Sequence, residues 1–315
     1  TDFGQIYLGS ADNPDSMQGA AVKGAGLDEA GLMALGAYQT ARQRCSMMNG
    51  QLLITTTPYN LGWLLTEIKN RAGKYGIHVE TWRSIDRPGY PRERYEREKA
   101  VLPAWRFAML YDAQFERPAG VIYSSFNESV CVIDRFEIPK SWLIYVGHDF
   151  GPDNPAALFT AIDPATGFRY RYHEYLPGPG ISPFKKVEEW KKITKGYNVI
   201  RRVGGAPGED DARQNYAPYG WPISLPSETI KHVEPQIEKV IALHQMNKIF
   251  AFRDMEYYLD EKRTFSRKLD DAGQVTEDIA NEARFHLMSC ERYTEAGLTP
   301  ETDESGNWDT NRSMR

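Results

Sequence analysis

The segment SWLIYVGHDFG, residues 141–151, is an apolar run that reaches a carboxylate at Asp149. Its length and its β-branched and aromatic residues predict a largely buried β-strand. A carboxylate on such a strand is costly to bury unless another group compensates its charge. Hydrogen bonds in a structural role would compensate it, and so would a bound metal ion.

Two more strand patterns follow, AALFTAID (156–163) and FRYRYHEYL (168–176), and the turn PATG between them indicates a hairpin. Next, SPFKKVEEWKKITK (182–195) predicts an amphipathic helix that begins at the N-cap Ser182. Three further strands are predicted later in the chain: YNVIRRV, WPISLP and KIFAF. Four helices are predicted among and after them: EDDARQNYAPYG, VEPQIEKVIALHQM, DMEYYLDEKR and a last helix from Asp278 to about Glu295. Three antiparallel strands followed by alternating helices and strands are the order of a ribonuclease H-like domain. The sequence therefore predicts an α/β fold with a mixed sheet.

The chain before this domain also has a mixed α/β pattern. AAVKGAGLDEAG (20–31) predicts a strand that ends in two acids, and QLLITTTP (51–58) predicts a second strand. The predicted helices of this part are GLMALGAYQTARQRCSMM (31–48), GWLLTEIKNRAGKYG (62–76) and the charged stretch 91–115. Proline and glycine interrupt the residues between the two parts, which is typical of a linker. The predicted domains are 1–117, a linker 118–141, 142–296 and a disordered tail 297–315.

Composition favours a globular intracellular protein of two domains. The 315 residues are 41% hydrophobic, and the formal net charge of −5 provides no general attraction to nucleic acid. The three cysteines are scattered, so we expect reduced thiols and neither a disulfide framework nor a cysteine metal site. No stretch is long enough to span a membrane. Any contact with phosphates must come from local basic residues, for which solvated helix faces are the alternative explanation: Lys185, Lys186, Lys191, Lys192, Arg201 and Arg202.

Asp149 and Glu209 form the main candidate site. Glu209 follows the strand YNVIRRV, and in the predicted sheet the two carboxylates lie at the same edge. They would repel each other unless a divalent cation lay between them, and Mg²⁺ and Mn²⁺ prefer oxygen ligands beside phosphates. Two such ions roughly 4 Å apart would suit cleavage of a phosphodiester. The alternative is that Glu209 is only an acidic helix start.

A third carboxylate is expected from the last helix. At about 100° per residue, Asp278, Glu282 and Ser289 lie on one stripe of the predicted helix, so the acids on that stripe are Asp278 and Glu282. His286 lies on the neighbouring flank, where a hydrogen-bonded packing role is the expected one.

Several of these segments resemble one family, the large terminase subunits of tailed double-stranded-DNA bacteriophages. LDEAG resembles the Walker B region of the packaging ATPase domain, which implies that Asp28 binds magnesium and that Glu29 activates water. LLITTTPYNLGW resembles the coupling motif, which implies a nucleotide-sensing role around Thr57. GHDFG, GGAPGEDDAR and ARFHLMSCERY resemble the nuclease motifs. They imply that Asp149 and Glu209 bind metal and that Ser289 occupies the position of the third metal-binding aspartate.

Two features depart from that family. No G-x-x-x-x-G-K-[ST] loop occurs in the sequence, so only a partial ATP site is expected, in a chain that lacks the Walker A part of the ATPase domain. Ser289 is neutral where relatives have an aspartate, which is expected to weaken at least one metal site.

The resemblance implies a DNA-packaging subunit. Its C-terminal domain would be a Mg²⁺- or Mn²⁺-dependent endonuclease that cuts concatemeric duplex DNA, with the portal of the procapsid and the small terminase subunit as partners, in the cytoplasm of the host cell. One alternative is a non-catalytic remnant or assembly module that docks on those partners without cutting. Another is a different ribonuclease H-like enzyme such as a resolvase or transposase, against which the ATPase-like segments LLITTTP and LDEAG argue.

Overall fold

The computed structural model describes residues 4–11, 19, 21–151, 155–178, 180–227, 230–270 and 273–298. The chain divides into two compact units, with the main division between Val121 and Ile122. A short segment, Lys268–Thr276, belongs with the first unit. Most of the predicted linker 118–141 therefore belongs to the second unit, where it contributes a helix and a strand. Of the predicted tail, Gly297 still belongs to a helix, and residues 299–315 lie outside the described residues.

The first unit contains a pair of parallel strands, β1 (Gly24–Asp28) and β2 (Gln51–Thr55), connected through helix α1 (Leu35–Ser46). The predicted helix 62–76 is too long, because only a π-helical turn, Leu64–Ile68, and a 3₁₀ turn, Lys69–Arg71, are formed. Glycines follow at Gly73 and Gly76, and glycine disfavours a helix.

The charged stretch 91–115 forms two helices, α2 (Arg92–Val101) and α3 (Ala104–Asp112). Pro103 separates them, since proline lacks an amide hydrogen and restricts the residue before it. The rings of Tyr95 on α2 and Phe107 on α3 pack edge to face at 5.0 Å.

A six-stranded mixed sheet forms the centre of the second unit. Its strands are β3 (Val132–Ile133), β4 (Leu143–Asp149), β5 (Ala156–Ile162), β6 (Arg169–Tyr175), β7 (Asn198–Gly204) and β8 (Ile249–Phe252). They lie in the order β3-β8-β6-β5-β4-β7. The predicted meander β4–β5–β6 is confirmed as antiparallel, β7 is parallel to β4, and β8 is parallel to β6. The carboxyl ends of β4, β6, β7 and β8 consequently lie along one edge of the sheet.

Six helices of the second unit accompany the sheet. They are α4 (Glu128–Cys131), α5 (Pro183–Ile193), α6 (Asp210–Gln214), α7 (Val233–Gln245), α8 (Glu256–Thr264) and α9 (His286–Gly297). The oxygen of Ser182 accepts a hydrogen bond from the backbone amide of Lys185, so the predicted N-cap of α5 is confirmed. The predicted strand WPISLP is wrong, because only Ser224 within it pairs with β7, through a single bridge to Val203. Proline at positions 222 and 226 prevents a continuous ladder.

The last helix begins later than predicted. Residues from Val275 to Ile279 form strand β10, which pairs with β9 (Arg267–Leu269), and α9 begins only at His286. Between them, Asn281 adopts a left-handed conformation with φ 49°, which interrupts a right-handed helix. The predicted helical stripe through Asp278 and Glu282 is therefore wrong, because neither acid lies on α9.

Helix α9 packs directly on β4 at Gly147. A Cβ atom at Gly147 would lie 2.1 Å from the carbonyl oxygen of Cys290 and 2.4 Å from Oγ1 of Thr294. Only glycine permits this approach, which brings the residues of α9 against the strand that carries Asp149.

A cluster of buried charges lies on another side of α9. Glu291 and Glu295 are fully buried and pair with Arg171 of β6 and Lys262 of α8. Tyr258 donates a further hydrogen bond of 2.7 Å to Glu291. We call Arg171, Lys262, Glu291 and Glu295 the buried charge network. Such charges are tolerated in a protein interior only when they are paired and hydrogen-bonded.

The three cysteines are free thiols. No helix in the described part of the chain is long and apolar enough to cross a membrane.

Candidate active site

Asp149 is the last residue of β4 and lies at the carboxyl edge of the sheet. Its side chain is 18% exposed, and its Oδ2 is 2.7 Å from Nδ1 of His286, the first residue of α9. The sequence predicted a hydrogen-bonded packing role for His286 but did not identify Asp149 as its partner. No local pattern indicated it, because the contact depends on where α9 begins and on its close approach to β4.

Glu209 lies on the loop after β7, beside the same edge. The amide of Ala206 donates a hydrogen bond of 2.6 Å to its carboxylate. Arg213, which is buried, donates from Nη1 to the carbonyl oxygens of Gly204 and Ala206, each at 3.0 Å. Gly205 has φ 76°, and a Cβ there would lie 2.7 Å from the Phe150 ring. This loop is thus fixed at both ends, and Glu209 has a defined place at the start of α6.

The two loops approach each other around aromatic side chains. Phe150, next to Asp149, stacks on Tyr216, which follows α6, with ring centroids 5.8 Å apart. Tyr293 of α9 experiences the charges of both carboxylates. Burial raises the pKa of its phenol far above the usual value, and Asp149 and Glu209 raise it further, against an opposing effect of Arg292. The contact that the structure shows directly among the candidate residues is the one between Asp149 and His286.

Ser289 contributes differently from its predicted role. It is buried in α9, and its hydroxyl accepts a hydrogen bond of 3.0 Å from Nη2 of Arg292. The polar partner of Ser289 is thus a cationic side chain rather than a carboxylate. Its assignment to the third metal position stays a prediction.

His148 precedes Asp149 but is not available as a base. It is fully buried, and its Nε2 accepts a hydrogen bond of 3.1 Å from the indole of Trp221. Burial, together with the positive charge of Arg202, lowers the pKa of His148 to about 3. The imidazole is therefore neutral near pH 7 and packs against Trp190 with ring centroids 4.5 Å apart.

Asp149 and Glu209 supply some, but not all, of the oxygen ligands that Mg²⁺ or Mn²⁺ requires. Among the described residues, no three histidine, cysteine, aspartate or glutamate side chains are grouped closely enough to hold a metal ion. Within the same part of the chain, neither Asp149 nor Glu209 forms an ion pair with lysine or arginine. Their oxygen atoms are ligands of the kind that suits Mg²⁺, which commonly binds through one or two carboxylates and completes its ligands with water and substrate phosphate. They do not form a complete protein cage.

The basic residues suggested as phosphate contacts do not form a continuous patch. Lys186 is buried, Lys191 donates to the backbone carbonyl of Tyr219, and Lys192 pairs with Glu189. Arg201 donates to the carbonyl of Gly297 at the end of α9. Most of these cations therefore contact neighbouring residues of the protein, and their contact with phosphates stays a prediction.

The first unit gathers the residues assigned to a nucleotide site. Asp28 ends β1 beside Thr55 of β2, whose hydroxyl donates to the Asp28 carboxylate at 2.6 Å. Glu29 follows with φ 54°, and the hydroxyl of Tyr59 donates to its carboxylate at 3.1 Å. The backbone oxygen of Thr57 accepts a hydrogen bond from Thr56. The two acids and the threonine segment are hence neighbours, although their binding of nucleotide stays a prediction.

Sequence comparison identifies distant relatives. No family model matches the chain. The large terminase subunits of Thermus phage G20c and Thermus virus P23-45 are each 24% identical to it over 290 residues, with coverage of 81% of this chain and 57% of theirs. The chain thus spans little more than half the length of these relatives.

Solved structures of large terminases also match the chain. The large terminase of a thermophilic bacteriophage, in complex with ADP, matches with a TM-score of 0.49 and 15% identity, over 91% of this chain and 72% of that one. The large terminase nuclease of the thermophilic phage G20c matches with a TM-score of 0.40 and 15% identity, over 54% of this chain and 97% of that one.

The second unit is an α/β domain with two carboxylates, Asp149 and Glu209, beside the carboxyl edge of a mixed sheet. Together with the sequence comparison, this identifies the chain as a distant homologue of the large terminase subunits of tailed phages. The resemblance drawn from the short motifs is confirmed at this level.

Proposed function

We propose that the second unit is a ribonuclease H-like, Mg²⁺- or Mn²⁺-dependent endonuclease that cuts duplex DNA during genome packaging. The observation that carries the proposal is the placement of two partly buried carboxylates beside the carboxyl edge of the sheet, Asp149 at the end of β4 and Glu209 on the loop after the adjacent parallel strand β7. Neither has a lysine or arginine partner among the described residues. A divalent cation bound by both carboxylates would offset their mutual repulsion.

Asp149 and Glu209 would hold the ion through their carboxylate oxygens. When bound, it supplies positive charge that lowers the cost of attack on a phosphodiester. His286 holds one oxygen of Asp149 in place by donating from Nδ1, which leaves the other oxygen for the ion. In the hydrolysis, the oxygen of a water molecule adds to phosphorus and the ester bond to one sugar oxygen breaks. The products are a phosphomonoester and a hydroxyl group.

Cleavage of supercoiled plasmid with Mn²⁺ tests the proposal. The parent chain should nick and linearise the plasmid, whereas Asp149→Asn, which preserves shape and removes charge, should be inactive. The matched control is Asp134→Asn, since Asp134 is 90% exposed, pairs with Arg253 and follows the outer strand β3, which three strands separate from β4. Equal cleavage by the parent and Asp149→Asn would refute the proposal.

A second candidate function is a non-catalytic assembly module that docks on the portal or the small terminase subunit. The contact between Ser289 and Arg292 favours it, since no third carboxylate is supplied at that position. The variant Ser289→Asp distinguishes the two. Activity in Ser289→Asp but not in the parent would indicate an intact site that has lost a ligand. Inactivity of both would favour the assembly module.

The first unit is proposed to be part of the packaging ATPase, with Asp28 and Glu29 as its acidic residues and Thr57 near the nucleotide. Its support is the arrangement at the ends of β1 and β2, where Thr55 and Tyr59 donate to Asp28 and Glu29. Double-stranded DNA, the portal of the procapsid and the small terminase subunit are the partners that this function implies.

A further inference from the structure

Glu261 of α8 contacts the first turn of α9, and the role inferred for it rests on the proposed nuclease function. Its Oε2 accepts hydrogen bonds from the backbone amides of Leu287 at 2.9 Å and of Met288 at 3.1 Å. These two residues directly follow His286, the first residue of α9. The first amides of an α-helix have no partner within the helix, and the side chain of the N-cap residue Phe285 does not cap them. A carboxylate from another helix therefore takes the place of a local cap.

The other anchors of α9 act further along the helix. The buried charge network and the close approach at Gly147 both involve α9 only after its first turn. The start of the helix is held by Glu261 and by the ring of Phe285, which packs edge to face on Phe265 with centroids 5.0 Å apart. Phe265 directly follows α8, so α8 and its last turn determine where α9 begins.

The contact of Glu261 with α9 requires an acceptor oxygen rather than a negative charge. Glu261 is buried, and burial raises its pKa well above the ordinary value, whereas the amides of Met288 and Leu287 oppose that rise. A neutral acceptor of the same length therefore suits the site. Glutamine has the reach of glutamate without its charge, and aspartate has the charge but is one methylene shorter.

We propose that Glu261 is a positioning residue of the nuclease site, which sets His286 against Asp149 by holding the first turn of α9. Each link is a direct contact, because Glu261 binds the amides that follow His286, and Nδ1 of His286 lies 2.7 Å from Oδ2 of Asp149. The His286 contact in turn orients the carboxylate that would bind the metal ion. Glu261 exchanges no proton and touches no reacting atom in this role.

The affinity for Mn²⁺, measured by electron paramagnetic resonance of the free ion, tests the role. Glu261→Asp should weaken binding roughly 10-fold, the lower end for groups that act through a metal ligand. Glu261→Gln should bind Mn²⁺ as the parent does, because its amide oxygen still reaches the two backbone amides. Loss of a helix cap removes only a small part of the stability of an ordinary domain, so both variants should remain folded, which urea unfolding checks.

The control for a general loss of stability lies on the other face of the sheet. Gly147 faces α9, so the neighbouring His148 faces the opposite side, where it packs on Trp190 of α5. Val187 is buried in the same helix. Val187→Ala should lower the urea midpoint and leave the affinity for Mn²⁺ unchanged.

A second measurement needs neither metal nor DNA. In protein labelled with ¹⁵N at histidine, the imidazole resonances absent from His286→Gln identify those of His286. At one fixed pH, Glu261→Asp should move the Nδ1 resonance toward its position in Asp149→Ala, where the carboxylate is missing. Glu261→Gln should leave it in place.

Parent-like affinity for Mn²⁺, or a parent-like His286 resonance, in Glu261→Asp overturns the positioning role. A Glu261→Gln variant as impaired as Glu261→Asp overturns it too, because an acceptor of the right length would then not suffice. A parent chain that neither binds Mn²⁺ nor cuts DNA, but whose His286 resonance moves in Glu261→Asp, overturns the nuclease proposal and keeps the positioning of His286. The two failures are thereby distinguished.

Discussion

Replacing Glu291 by glutamine removes the central carboxylate of the buried charge network. Glu291 is fully buried and accepts from Arg171 Nη2 at 3.1 Å, from the Tyr258 hydroxyl at 2.7 Å and from Lys262. Glutamine preserves the shape and can still accept from Tyr258. It removes the carboxylate that Lys262 and Arg171 share, so that Arg171 keeps only Glu295, which also pairs with Arg169. Loss of one partner of a buried ion pair costs about 3–5 kcal/mol.

The pKa of Glu291 leads to a similar value for the stability that this carboxylate contributes. Although burial alone would raise it, Lys262 and Arg171 outweigh burial and hold the pKa at about 2, against an ordinary value of 4.5. A difference of this size corresponds to roughly 3 kcal/mol. Since the folded pKa is lowered, this stability is complete above about pH 4.5 and is lost as the pH falls toward 2. Burial lowers the pKa of Lys262 to about 8, so the charged ammonium is not stabilised by the ion pair as the Glu291 carboxylate is. The prediction rests on the carboxylate, which accepts from three donors.

Urea unfolding at pH 7, followed by tryptophan fluorescence, measures the change. Glu291→Gln should lower the free energy of unfolding by about 3–5 kcal/mol with little change in the denaturant slope. The control Glu189→Gln breaks the exposed pair with Lys192 and should cost less than about 1 kcal/mol. A double variant, Glu291→Leu with Lys262→Met, should be more stable than Glu291→Gln, because apolar residues can replace a buried pair. If Glu291→Gln cost no more than Glu189→Gln, the network would not have the stabilising role described.

Two more predictions concern the supports of α9 and α8. Gly147→Ala should destabilise the second unit by about 3 kcal/mol, at the upper end for overpacking, and abolish plasmid cleavage, because its Cβ would lie 2.1 Å from the Cys290 carbonyl oxygen. Thermal melting measures the loss of stability, and the control variant is Gly26→Ala, because a Cβ at Gly26 would have open space around it. Equal melting temperatures for the Gly147→Ala and Gly26→Ala variants would contradict the close packing at Gly147. Glu174 accepts from the amides of Tyr257 and Tyr258 at the start of α8, and burial raises its pKa to about 7. Because the pKa of Glu174 is raised in the folded protein, its contribution to stability is complete below about pH 4.5 and is lost as the pH rises through 7. Glu174→Gln cannot titrate, so its urea midpoint should depend less on pH between pH 5 and 7.5 than that of the parent. Parallel pH profiles for the parent and Glu174→Gln would refute this.

The strands β4 to β8 were predictable because each contains enough apolar residues to identify it locally. The predicted segments for β4, β5 and β6 agree with the observed strands to within two residues at each end. Asp149 was predictable for the same reason, since a carboxylate on such a strand stands out against its apolar neighbours. The residue at which α9 begins was not predictable. The residues of β10 fit a helical repeat as well as a strand, and the left-handed conformation of Asn281 that separates them is a property of the folded chain.

The buried charges were not predictable either, for a different reason. Sequence patterns assign lysine, arginine and glutamate to the surface, because these residues are seldom fully buried unless they are paired. Arg171, Lys262 and Glu291 come from β6, α8 and α9, so their pairing depends on the tertiary arrangement. His286 follows the same rule, since its partner Asp149 is 137 residues away along the chain.

Helix α9 connects the network to the candidate site. Glu291 and Glu295 lie about 140° and 180° around the helix from His286, so opposite sides of one helix carry the ion pairs and the contact to Asp149. The ion pairs with β6 and α8 fix the rotation of α9, and the close approach at Gly147 fixes its height above β4. Together they hold Nδ1 of His286 2.7 Å from Oδ2 of Asp149. The placement of the site residues therefore depends on interactions that contain none of them.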